Sequence, residues 1–146
     1  IGFFENQNPS SRVHAEVFPT EKTYEKEIQH LFNFVALYEK DLIQHIGVSF
    51  PGIVSPTGDI KQVSNIPAYE AKPLKHDLSS RFSLPVMIVQ DSACAALSAY
   101  LYGNIASFKR IVHMILGTGL GATFIEHTHN QVRVSPFEPG GMIVWM

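Results

Sequence analysis

Two features of the sequence could do chemistry together: the run Leu116-Gly117-Thr118-Gly119-Leu120-Gly121-Ala122 and the carboxylate of Asp91, upstream of it. The run lies between two apolar, β-like segments, Arg110–Ile115 and Thr123–Ile125. A glycine turn there leaves backbone N–H groups free to face an anion, because glycine has no Cβ and accepts positive φ. Asp91 closes the apolar segment Pro85–Gln90 and opens a run of small residues with helical character. An anion cradle beside a strand-end carboxylate is the minimum that phosphoryl transfer to a hydroxyl requires.

Each feature has a plainer reading. Gly117–Ala122 also fits the loose dinucleotide pattern G-x-G-x-x-A, but that fingerprint needs a helix after the glycines to hold the pyrophosphate. The residues that follow, Thr123-Phe124-Ile125, are β-branched and aromatic, so a strand–turn–strand hairpin is expected, with or without a ligand. Asp91 could simply cap the helix Ser92–Tyr102, or accept a proton from an attacking hydroxyl at the carboxyl end of a sheet. Gly52, after the strand His45–Phe50, would let a ligand approach the backbone. Asn65 offers an amide that both donates and accepts toward sugar hydroxyls, although Asn before Ile-Pro also suits a bare turn. His127 and His129 share a face if extended, but no third metal ligand is evident nearby, and a surface hairpin explains them. Cys94 among Ala93, Ala95 and Ala96 reads as a packing residue.

The elements that must position these groups follow from periodicity. Ile1–Phe4 and Arg12–Phe18 form two strands around a polar turn. Ile28, Leu31, Phe32, Val35, Tyr38 and Leu42 form one helical stripe from about Tyr24 to Ile43, with Thr20 as N-cap and Glu21 at the positive dipole end. Ile60–Val63 is a brief strand, Pro73–Phe82 a helix with proline in its first turn, and Gly103-Asn104 the stop of the helix after Asp91. The order gives an α/β class, with a composition shift near Ser107 that divides a first unit, residues 1–107, from the start of a second, residues 108–146. That second unit has too little sequence for a core of its own, which leaves apolar surface around Ile111–Ile125 and predicts a homo-oligomer. With Ile1 entering a strand midway, the chain is expected to begin inside a larger gene product.

Bulk properties narrow the classes. A hydrophobic fraction of 45% with 16% charged residues fits a folded globular chain. A net charge of −2 without a basic stripe gives no reason to expect nucleic acid as a partner. No apolar run is long enough to span a bilayer, and a single cysteine forms no intrachain disulfide, so a cytoplasmic protein is expected.

In order, Ile46-Gly47-Val48-Ser49-Phe50-Pro51-Gly52, Ser64-Asn65-Ile66-Pro67, Leu84–Ala93 and Leu116–Ala122 resemble the motifs of the ROK family of bacterial sugar kinases and sugar-responsive repressors. The resemblance runs from about Ile1 to Gly141. It implies an actin-like ATPase (ribonuclease H-like) fold, an N-terminal lobe plus the start of a second, with ATP and Mg2+ as cofactors and a sugar between the lobes. It makes Asp91 the catalytic base, Gly52, Asn65, Gln90 and Glu138 sugar-side residues, and Gly117, Thr118 and Gly119 the second phosphate turn.

The departures are also informative. Gln90 stands where the family has Asn, and Gly141 where it has a His that contacts sugar and often ligates zinc. The Cys-rich zinc segment and the Asp-x-Gly-Gly-Thr strand turn are absent, so zinc is not expected and turnover by this chain alone should be impaired. A non-catalytic sugar-sensing domain of a ROK-type regulator is the alternative reading. With no helix-turn-helix present, DNA binding by this chain alone is not expected.

Overall fold

A computed structural model describes residues 2–5, 8–38, 43–55, 57–63, 65–117, 120–128 and 131–137. The chain begins with an antiparallel pair, β1 (Gly2–Glu5) and β2 (Asn8–Ala15), whose register runs from Gly2↔Ala15 to Glu5↔Asn8. The second strand thus starts earlier and stops earlier than its alternating pattern suggests.

Helix α1 (Tyr24–Val35) begins after Thr23, not Thr20. Tyr24 sets the boundary. Its ring is buried edge-on to Tyr69, 5.3 Å between centroids, and its hydroxyl donates to Asp77 at 2.6 Å. Glu27 reaches back to accept from the Glu21 N–H at 2.7 Å, holding the loop before the helix. Burial and the Asp77 carboxylate together push the Tyr24 phenol up, so it stays neutral and donating.

The helix also ends well short of Ile43. Leu37 and Tyr38 donate to Phe34 and Val35 in i→i+3 bonds that tighten the last turn. Phe34, outside the expected stripe, is 3% exposed and stacks on His14 of β2 at 5.7 Å. Leu42 lies outside the described residues.

The centre of the chain is a parallel pair, β3 (Ile46–Phe50) and β6 (Val86–Gln90), in register from Ile46↔Val86 to Phe50↔Gln90. Between them lie the short hairpin β4 (Ile53–Val54) and β5 (Ile60–Gln62), a 3₁₀ turn at Pro67–Tyr69, and α2 (Leu74–Phe82). Leu74, Leu78 and Phe82 of α2 bury against Val86 and Ile88 of β6, Phe50 of β3 and Ile28 of α1. Each such side chain contributes about 1.5–3 kcal/mol on burial. Pro73 caps α2 from outside, its carbonyl accepting from the Asp77 N–H at 2.9 Å, and Ser83 ends the helix in the left-handed region.

Helix α3 (Asp91–Tyr102) follows β6 without a loop and packs on β3 and β6. Its opposite contacts are with an antiparallel sheet, β7 (Arg110–Leu116), β8 (Leu120–Thr128) and β9 (Gln131–Phe137), ordered β7-β8-β9. Ala96 and Tyr100 of α3 form a second apolar cluster with Ile125 and Ile111. Strand β9 runs past Val134 through Pro136, which an outer strand tolerates because that residue needs no ladder donor. The other face of the sheet exposes Val112, Met114 and Leu116.

Candidate active site at the start of α3

The parallel pairing sets the site. Because Phe50 lies opposite Gln90, the next residues of each strand, Pro51-Gly52 and Asp91, leave the sheet side by side at its carboxyl end. This is where parallel α/β sheets place ligands.

Asp91 is the first residue of α3. Its side chain is exposed, and Oδ1 accepts the Ser92 N–H at 2.7 Å. The carboxylate therefore serves the helix start and also faces solvent, beside the positive end of the α3 dipole. Gln90 is buried at 7% exposure beneath it.

Gly52 has φ +124°, and a Cβ there would run into the Gln62 carbonyl oxygen. The β3–β4 corner can only be built with glycine, which leaves bare backbone just past the carboxyl end of β3. Asn65 is exposed, a short step beyond Gln62 of β5, the residue that pairs with Ile53.

The glycine run begins on β7 and ends on β8 of the antiparallel sheet. Leu116 pairs with Leu120, so Gly117 leaves the end of β7 where the β7–β8 hairpin turns. A strand follows the glycines, which removes the dinucleotide reading. Gly117 is exposed, and a Cβ there would meet nothing within 4 Å. Its glycine is not demanded by the protein's own packing, and the space in front of it is open to a ligand.

Gly121 turns its α-carbon toward α3: a Cβ on it would lie 3.9 Å from Ser92 Cβ. The base of the glycine turn thus backs directly onto the residue after Asp91. Gly121 belongs to the run recognised in the sequence, but its contact with Ser92 has no local signature. Thr118, Gly119 and Glu138 lie outside the described residues.

Other sequence candidates resolve as structural residues. His127 remains in β8, where its N–H donates to the Lys109 carbonyl at 2.8 Å and its ring meets Tyr100 edge-on. His129 lies outside the described residues. No group of three or more His, Cys, Asp or Glu side chains suited to a metal occurs among the described residues. Cys94 is half-buried in α3.

Residues 5–132 match the model of the ROK family. The chain belongs to that family. Among its relatives, an N-acetyl-D-glucosamine kinase from Citrobacter koseri is 28% identical over 127 residues, which is 86% of this chain and 42% of the kinase. An N-acetyl-D-glucosamine kinase from Pectobacterium carotovorum is 36% identical over 80 residues, 55% of this chain and 26% of that protein. A ROK glucokinase from Streptomyces griseus, solved with glucose and AMPPNP, superposes with a TM-score of 0.72 at 24% identity, over 90% of this chain and 41% of that one. The ROK chain described here therefore has the actin-like ATPase fold, and it spans less than half the length of these relatives.

The two glycines make opposite demands on stability. Gly52→Ala should destabilise the fold by roughly 1–3 kcal/mol, because the new Cβ meets backbone at a left-handed φ. Gly117→Ala should stay within about 1 kcal/mol of wild type, close to the change in helix or strand propensity alone. Urea denaturation of both variants checks this, and a Gly52→Ala midpoint equal to wild type would refute the corner geometry.

Proposed function

We propose that this chain is the core of a ROK sugar kinase, transferring the γ-phosphoryl group of ATP to a hydroxyl of a hexose or amino sugar. One observation carries the reading: Gly121 backs onto Ser92, which brings the glycine turn and the Asp91 carboxylate to one edge of the fold. Family membership and the kinase names of its relatives support the same chemistry. Residues 1–107 form the N-terminal lobe of the cleft, and residues 108–146 begin the second. A cytoplasmic location goes with this reading, because ATP is the phosphoryl donor. No helix among the described residues is long and apolar enough to cross a membrane.

In this reading Asp91 accepts the proton of the sugar hydroxyl as its oxygen bonds to phosphorus and the bond from phosphorus to the β-phosphate oxygen breaks. Gly52, Asn65, Gln90 and Glu138 orient the sugar so that a single hydroxyl points at Asp91. Backbone N–H groups of Gly117, Thr118 and Gly119 hold the nucleotide phosphates, which open space in front of Gly117 permits. ATP would supply the phosphoryl group, and a Mg2+ ion carried with it would neutralise part of the phosphate charge. The positive end of α3 adds a fixed favourable field for that charge.

Positioning between lobes supplies most of phosphoryl-transfer catalysis, so the 146-residue chain alone should turn over slowly. A coupled assay over hexoses and N-acetylhexosamines with Mg-ATP should detect this turnover. Asp91→Asn should lower it by about 100-fold or more. Activity that survives this substitution would remove Asp91 as the base.

We also propose that the exposed face of β7 carrying Val112, Met114 and Leu116 docks on a second copy of the chain. Light scattering should show an average mass rising with concentration, and the pair Val112→Lys and Met114→Lys should return it to monomer. A wild-type monomer at every concentration would contradict the dimer.

A further inference from the structure

Three buried polar atoms lie on the elements that meet where α3 packs on the β7–β8 hairpin. Ser92 Oγ, Thr123 Oγ1 and His113 Nδ1 are all shielded from solvent and have no hydrogen-bond partner among the described residues. Ser92 is 4% exposed and Thr123 fully buried. Leaving such atoms unpaired is costly, so partners are expected.

Their placement makes them one group. His113 lies directly opposite Thr123 in the β7–β8 register, so the two side chains sit side by side on one face. Thr123 follows Gly121 by two residues on β8 and shares that face. Gly121 in turn is the residue whose added Cβ would lie 3.9 Å from Ser92 Cβ. Ser92, on the first turn of α3, and Thr123 and His113, on the hairpin face that carries Gly121, thus lie on the two sides of the α3–hairpin contact.

For Ser92 the usual back-bond within its own helix is closed. A serine inside a helix can bond back to the carbonyl four residues earlier, but for Ser92 that residue is Ile88, in β6. Thr123 is on the central strand of its sheet, paired with His113 on one side and Pro136 on the other.

We propose that Ser92, Thr123 and His113 form a buried polar joint, bridged by a single internal water, that holds the first turn of α3, and with it Asp91, against the glycine turn. Three polar partners are what a buried water typically takes. The water donates to two of the atoms and accepts from the third, so all three are satisfied at once. Ser92 is a positioning residue in this arrangement: its own N–H holds Asp91 Oδ1 at 2.7 Å, so fixing Ser92 fixes the carboxylate. Thr123 and His113 extend the same constraint into the hairpin that carries the phosphate turn. The consequence for catalysis rests on the kinase reading; the joint itself does not.

Nuclear magnetic resonance on the intact chain separates the two. The probes are the ¹⁵N shift of His113 Nδ1 and hydrogen exchange at the Ser92 amide. Thr123→Val keeps shape and strand propensity but removes the hydroxyl. It should shift the His113 Nδ1 resonance and speed Ser92 amide exchange about five- to tenfold, the equivalent of one net hydrogen bond. Thr123→Ser should restore both signals, and Ser92→Ala should shift His113 as Thr123→Val does. A His113 resonance unmoved by both Thr123→Val and Ser92→Ala, or a Thr123→Ser variant that behaves like the valine, would overturn the joint. None of these readouts requires nucleotide or sugar, so they stand even if the chain proves to have no kinase activity.

Discussion

Everything at the site depends on how closely α3 approaches the two sheets it lies between. Side-chain volume on a helix fixes its distance from a sheet, and interiors are packed too densely to absorb an extra methylene. The residues α3 buries are mostly small: Ser92, Ala93 and Ala96 in the first turns, with Ala96 fully enclosed. Only Tyr100, toward the far end, is large, and it is buried where the helix meets Ile111 and Ile125. At its start the helix packs against β8 where Gly121 has no side chain to hold it off. Ser92, next to Asp91, and Gly121, at the base of the glycine turn, come together because both are small.

The rest of the fold supplies the other half of the geometry. Leu74, Leu78 and Phe82 of α2 lock β6 to β3 through Val86, Ile88 and Phe50. A slip of one residue would turn every side chain of a strand over, so this burial fixes the pairing of Phe50 with Gln90. From that pairing the positions of Gly52 and Asp91 follow without further interactions. Tyr24, tied to Asp77 and packed on Tyr69, joins α1 to the same core. The Lys72–Glu25 pair beside it, 3.0 Å apart and on the surface, adds little.

Much of this was legible in the sequence, for physical reasons that differ by element. Strand-to-glycine transitions mark the ends of β3 and β7, and the switch from an apolar strand to a run of small residues marks the end of β6, so Gly52, Gly117 and Asp91 could be located from local pattern alone. The β-branched residues after Gly121 excluded a helix, and β8 is there. Boundaries set by distant contacts were not legible. Helix α1 starts at Tyr24 because of Asp77 and Tyr69, far along the chain, and Phe34 is buried through His14 of β2. The two-residue strand β4 is too short to leave a periodicity. At the site, the gap was the contact between Gly121 and Ser92, together with the unpaired atoms beside it, since neither residue's type announces the other.

The central claim is that the α3 start, the β3–β4 corner and the glycine turn form one nucleotide-and-sugar cleft. Amide shift mapping of the chain during titration with AMPPNP and Mg2+ tests it most directly. The predicted result is a single cluster of perturbed amides at Gly52, Asp91, Ser92, Gly117 and Gly121, on contiguous parts of three separate elements. Shifts confined to other regions, such as the β1–β2 hairpin or the exposed face of β7, would contradict it.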